Sequence, residues 1–438
     1  MSGRARNLSG LLLMSLAALP TPLRAGAPDE ALPTLRAHSR TFDLREGRRL
    51  WPAEWHADPA LALDDYVLSA VDGVAHFALI SDQDSIVMTI PAGEAREFYI
   101  VLDGSDSCRT RVTAVDASLR SSRAGRAMAD TLGFELGRDG RPYFTGTVNG
   151  SSPLRLMFDA GGGASVLGPR AIRKGARFVP TDTVANVGGG GTVMRPVGRD
   201  HHLTIGTANW EHVEFIRLEK DFSDADGLVG WRLFDGRIAA FDFVQHRVIA
   251  RDSMGAVPGG YRAIPLRWMG ALPAIEVELD SAGTVVTELL QLDTGSNSAL
   301  RLTAGAAHWG HYDASFAKTG EGRSRGTGPR VRKTRRVDVP RLRIAGFELV
   351  NVASELELPM DGEEPGASHL GMGVLGRLDL ILDLRNDIVY LRPNVRFSEP
   401  FRRAGRRDPI TAAAVSVFAV ALSVSAVFAY RRARRMQA

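Results

Sequence analysis

Two carboxylates stand in matching places of this chain. Asp159 ends the run Leu156-Met157-Phe158 and is followed by Ala160-Gly161-Gly162. Asp293 ends Leu290-Gln291-Leu292 and is followed by Thr294-Gly295-Ser296. The same later landmarks trail each of them. Gly227-Leu228-Val229-Gly230 and then Phe241-Asp242-Phe243 follow the first, and His369-Leu370-Gly371 and then Leu382-Asp383-Leu384 follow the second. From aspartate to the later glycine the spacing is 71 residues in one unit and 78 in the other, and from that glycine to the next aspartate it is 12 in both. The chain is internally duplicated. Two carboxylates brought together by such a duplication cannot both ionise freely, so they share a proton and offer an acid and a base at one point.

Asp293-Thr294-Gly295-Ser296 after an apolar strand resembles the active-site signature of pepsin-like and retroviral-type aspartic proteases. The segment from Leu370-Gly371-Met372-Gly373-Val374-Leu375 to Leu382-Asp383-Leu384 is similar to the second half of the retropepsin-like unit of bacterial proteins, and the first unit follows the same outline through Asp159 and Gly227-Leu228-Val229-Gly230-Trp231. The resemblance spans residues 134–392. It implies a mainly β protein in which two retropepsin-like lobes form a pseudo-dimer within one chain. It also implies a catalytic pair, Asp159 and Asp293, that holds a water and acts on a peptide or protein substrate without metal or organic cofactor. Thr294 and Ser296 would then bind the loops together and orient the carboxylate, and Gly295 would let its loop turn tightly. Ala160, Gly161 and Gly162 occupy the corresponding places in the first unit, which lacks both hydroxyls. Half of the grip between the loops should therefore be missing, a loss of about 0.5–1.5 kcal/mol per hydrogen bond. His369 stands where the family carries an apolar residue. The enzyme reading is an aspartic endopeptidase; the rival is a fold-retaining, inactive binder of peptides or envelope ligands, marked by Ala160 and Gly162.

The elements that must position this pair read as strands. Asn149-Gly150 between apolar runs predicts a hairpin, and Asp280-Ser281-Ala282-Gly283 predicts its counterpart. The hairpin also accounts for the sequon Asn149-Gly150-Ser151 without a glycan. Gly188, Gly189, Gly190 and Gly191 lie where a flap would close over a substrate, a surface turn being the plainer account. Residues 320–343 hold a run of arginines, read as a solvated flap or loop with the strand 337–344 alongside, or as a basic rim that steers acidic peptides or anionic surface polymers toward the cleft. Asp242 and Asp383, repeated in late strands, are assigned structural roles.

Other chemistries lack their residues. His201, His202 and His212 have no third ligand at a recognisable spacing, so no metal site is expected. No Gly-x-Ser-x-Gly elbow and no Walker lysine are present. The single cysteine, Cys108, excludes an intramolecular disulfide framework and a Cys-based cluster. A net charge of +4, from 54 basic and 50 acidic residues, gives no case for nucleic acid.

In 438 residues that are 44% hydrophobic there is room for several domains. Residues 1–25 read as a secretory signal, with Arg4 and Arg6 before a short apolar run. Residues 40–115 read as a small β domain, with 85–90 and 97–102 as strands flanking the turn 91–93 and with Trp51 and Trp55 as anchors. A third reading makes this region the functional part, as a docking module. Residues 116–133 read as a linker or short helix, 134–255 and 256–395 as the two lobes, and 396–409 as a second linker. Residues 410–430 carry no charge and are long enough to cross a bilayer, and 431–438 form an Arg-rich tail. The expected product is a single-pass membrane protein with its body exported and its tail in the cytoplasm.

Overall fold

The structure is a computed structural model and describes residues 32–39, 41–54, 64–115, 120–121, 129–188, 191–221, 223–326, 328, 330–360 and 367–401. The signal and membrane-helix segments lie outside the described residues, as do Trp55, Gly189 and Gly190 and the side chain of Trp51. Among the described residues no helix is long and apolar enough to cross a membrane.

Strict alternation builds the amino-terminal region. In Thr41–Glu46 every second side chain is buried, which places Phe42 and Leu44 inside. Two four-stranded sheets share one core containing Phe42, Leu44, Phe77, Ile90, Phe98 and Val112. The strands Ser85–Pro91 and Ala95–Leu102 do not pair with each other, although a turn connects them. The first belongs to one sheet and the second to the other, so Ala92-Gly93 is a corner between layers. Both strands aim apolar side chains at the same core from opposite sides, which a flat hairpin could not do. Cys108 is buried there.

This sandwich rests on the body through charge and aromatic rings. Arg49 pairs with Asp235 at 2.5 Å and lies over the rings of Trp231 and Trp268, while Arg232 pairs with Glu46 at 2.9 Å. Trp231 directly follows Gly230, so the contact braces a segment that runs beside Asp159.

Each half of the body is a sheet with the same strand order. In the first it runs Pro142–Val148, Leu154–Asp159, Gly227–Gly230, Ser165–Leu167, Ala208–Arg217, Gly191–Ile205, Asp182–Gly188. In the second it runs Leu272–Ser281, Thr284–Leu292, His369–Leu370, Leu300–Leu302, Phe347–Glu357, Val331–Ile344, Ala317–Arg325. A further pairing closes each sheet on itself, between Pro142–Val148 and Gly191–Ile205 and between Leu272–Ser281 and Val331–Ile344. Leu154–Asp159 is covered on both faces and is accordingly apolar almost throughout. Asn149 and Gly150 both take positive φ, as do Ala282 and Gly283, so both hairpins turn through two residues of the type that matches strand twist. The Asn149 side chain donates to the Arg177 carbonyl and accepts from the His202 amide, each at 2.8 Å.

A six-stranded antiparallel sheet joins the halves. Its order is Ala129–Gly133, Arg247–Arg251, Ile238–Asp242, Leu378–Asp383, Ile388–Pro393, Arg262–Pro265. The supposed linker 116–133 therefore contributes an edge strand, the counterpart of Arg262–Pro265 at the far edge, and its Arg120–Ser121 pairs with Ala208–Arg217. Asp242 accepts from the Val244 and Gln245 amides, and Asp383 from those of Arg385 and Asn386. Both aspartates close turns.

Candidate active site

Asp159 ends its strand beside Gly230, and Asp293 follows Leu292, which lies beside Leu370. Both carboxyls are buried, and each influences the ionisation of the other. Each packs against the loop of the opposite half. A Cβ on Gly295 would stand 2.1 Å from Asp159 Oδ2, and one on Gly161 would stand 3.0 Å from Asp293 Cγ. The sequence reading gave Gly295 the task of turning its own loop. Its missing side chain instead makes room for the carboxylate across the axis. Gly230 and Gly371 serve the loops from behind, where a Cβ would meet the Gly162 or the Ser298 carbonyl at 2.3 Å.

The grip between the loops is carried by Thr294. Its hydroxyl donates to the Phe158 carbonyl at 3.0 Å and accepts from the Ala160 amide at 2.8 Å. Ala160 cannot return these bonds. Two residues that the sequence reading did not single out cross the boundary as well: Gln291 Nε2 donates to the Gly161 carbonyl at 2.9 Å, and Arg141 Nη1 to the Gly295 carbonyl at 3.3 Å. Thr294→Val keeps the shape and removes both hydroxyl bonds, so unfolding stability should fall by about 2 kcal/mol. Urea titration checks this, and an unchanged midpoint would remove the grip from the account.

Ser296 departs from its expected role. Its hydroxyl lies 3.1 Å from His369 Nε2 and 2.8 Å from Ser298 Oγ, and it does not bond the Asp293 carboxylate. His369 is fully buried, with Nδ1 3.2 Å from the Ala367 carbonyl and Nε2 3.7 Å from Asp293 Oδ2. Burial, and then the charge of Arg301, push its pKa down to about 3, so the ring is neutral. A neutral ring facing a carbonyl with Nδ1 carries its proton there and accepts the Ser296 hydroxyl at Nε2.

Burial and then the charge of Asp293 raise the Asp159 carboxyl well above the ordinary range. Burial also pushes Asp293 up to about 7. The hydrogen bond from Asp159, the charge of Arg301 and the amides of Ser296 and Gly295 hold it back. One proton held on Asp159 and a charge on Asp293 is the arrangement these causes favour. Such a pair can draw a proton from a water with one member and donate a hydrogen bond to a carbonyl with the other.

The strands Asp182–Gly188 and Gly191–Ile205 form a hairpin at the flap position, with Gly188 opposite Gly191. The matching hairpin in the second half pairs Ala317–Arg325 with Val331–Ile344. Its arginines are not an undivided basic stripe. Arg332 pairs with Glu357, Arg335 with Asp313, and Arg341 and Arg343 with Glu348. The histidines of the first half are dispersed in role: His201 stacks on Phe178, and His212 pairs with Asp200. Among the described residues no group of His, Cys, Asp and Glu is arranged to hold a metal.

No family model matches this chain, and no curated protein matches it in sequence. Among solved structures it is similar to the aspartic proteinase from Irpex lacteus, at 12% identity and a TM-score of 0.45, over 63% of this chain and 100% of that one.

Proposed function

We propose that this protein is an exported, membrane-anchored aspartic endopeptidase that hydrolyses peptide bonds with a water held between Asp159 and Asp293. The observation that carries the reading is the reciprocal seating of the two buried carboxyls, each against the opposite loop's glycine. Export and anchoring rest on the composition of residues 1–25 and 410–430. In the reaction, Asp293 as carboxylate takes a proton from the water while Asp159 donates its proton toward the scissile carbonyl. The tetrahedral species collapses when Asp293 passes the proton it took from the water to the leaving amine, and a hydroxyl of that species returns its proton to Asp159 as the new carboxyl forms.

The pH dependence follows from the raised carboxyls. Below the pKa of Asp293 both are protonated and the base is lost; above that of Asp159 the acid is lost. With Asp293 pushed up to about 7 and Asp159 raised well above the ordinary range, the acid limb of kcat/KM should lie far above the ordinary carboxylate range, with best activity toward neutral pH. The test is cleavage of a diverse peptide library by the full chain in detergent, across the pH range and with and without a statine inhibitor. Inhibitor-sensitive cleavage supports the enzyme. Peptide binding without cleavage by folded protein at any pH would move the assignment to the binding reading that Ala160 and Gly162 represent.

A further inference from the structure

The two halves are alike in strand order and unlike in what lies behind each aspartate. In the first half, Met157, Leu228, Val166, Ile216 and Val197 are successive cross-strand neighbours in one row over five strands. All five are fully buried and belong to one apolar cluster. The same row in the second half reads Gln291, His369, Arg301, Glu355 and Arg336. Every apolar member has been replaced by a polar or charged one.

This row is built, not incidental. Arg301 is 1% exposed, and its Nη2 bonds Glu355 Oε2 at 2.8 Å. With His369 neutral, the buried Arg301 and the half-buried Arg336 outnumber the half-buried Glu355, so the row carries a net positive charge whose inner member is Arg301. Buried charges at a low local dielectric act strongly on their neighbours. On the other side, Asp159 faces Arg141, which is tied to Asp139 through Nε at 2.7 Å. Each aspartate also faces the other, and backbone amides face both, that of Gly161 at Asp159 and those of Ser296 and Gly295 at Asp293. The two aspartates therefore sit in unequal fields, although the backbone around them is nearly symmetric.

We propose that Arg301, with Glu355 and His369, is a positioning group that assigns the two aspartates different roles, holding Asp293 as the carboxylate and leaving the shared proton on Asp159. His369 contributes by binding the Ser296 hydroxyl and by standing, uncharged, between the guanidinium row and the pair. The acid and base roles rest on the protease reading; the position of the proton does not.

The first half supplies a control for folding, because it shows which residues fill this row when it is apolar. The triple variant Arg301→Val, Glu355→Ile, His369→Leu copies Val166, Ile216 and Leu228. The readout is a 13Cγ-aspartate NMR titration of the full chain in detergent, with Asp159→Asn and Asp293→Asn to assign the signals. In the wild type, Asp293 should ionise first as pH rises. In the triple variant its midpoint should rise by about one pH unit or more, and the order of the two should blur. Arg301→Lys, which keeps the charge, should keep the order and serves if the triple variant fails to fold. Asp159 ionising first in the wild type, or an order and midpoint unmoved in the triple variant, would overturn the proposal. A lost order in Arg301→Lys would do so too. Cleavage assayed on the same samples separates the two ideas. No cleavage with the order intact ends the protease reading alone, and a changed peptide preference with unmoved titrations makes the row a binding pocket instead.

Discussion

Asp293→Asn and Asp159→Asn should each lower kcat/KM by at least about 10⁴, and the double variant should be little worse than either one. Residues that act as a unit lose nearly everything when one is removed. The neutral amide can neither take the water's proton nor exchange its own with the partner. Stability should move the other way, and that separates lost chemistry from lost fold. Both carboxyls have folded pKa values raised above those of the unfolded chain, chiefly by burial. Below about pH 3 the two states are protonated alike, so the pair contributes no difference. As pH rises through the unfolded value the unfolded chain releases its protons while the folded one retains them, and the folded state is penalised up to its own pKa. Either Asn variant should therefore melt at a higher Tm than the wild type near neutral pH and at the same Tm in strong acid. A variant that still cleaves within tenfold of the wild type would place the chemistry elsewhere. One that is inactive with a lower Tm at neutral pH would show that the carboxyls are structural.

What could be read from the sequence, and what could not, divides along a physical line. Asp159 and Asp293 were legible because duplication repeats their surroundings in order, and Asn149-Gly150 because its backbone demands are local. The edge strand Ala129–Gly133 was not. Its inward residues are Leu132 and Asp130, and the aspartate is buried against Arg237 at 3.3 Å, so a half-charged inner face passed for a polar linker. Arg141 and Gln291 act on carbonyls 154 and 130 residues away, and no periodicity announces such contacts. Gln291 did leave a trace, as a polar residue in an otherwise apolar run. Ser296 shows another limit: its spacing from Asp293 is visible in the sequence, but its hydroxyl is drawn off by His369, which lies 73 residues further on. The row behind Asp293 is the extreme case. Its five members lie between 291 and 369 in the chain and become neighbours only through sheet register.

Gly295→Ala should remove activity as thoroughly as loss of an aspartate, while leaving both carboxylates in the chain. The new Cβ would lie 2.1, 2.4 and 2.8 Å from Oδ2, Cγ and Oδ1 of Asp159, all well inside van der Waals contact. The Asp159 carboxyl is not the free end of a long flexible chain. It is buried at a strand end, so it can yield only if the opposing loops part. Those loops are tied by Thr294, Gln291 and Arg141, and a shift of about 1 Å is enough to misalign reacting groups. Overpacking of this kind costs about 1–3 kcal/mol, which a protein of this size survives. The expected result is a folded protein with a lowered Tm, no measurable cleavage, and weakened statine binding. Gly161→Ala should be milder toward the dyad, because the atom its Cβ meets first is Gln291 Nε2 at 2.4 Å, an amide able to rotate away, with Asp293 Cγ at 3.0 Å. Equal losses in the two variants would mean that the loops, not the seating of Asp159, decide activity. A graded pair, severe at 295 and partial at 161, is what this unequal pair of contacts requires.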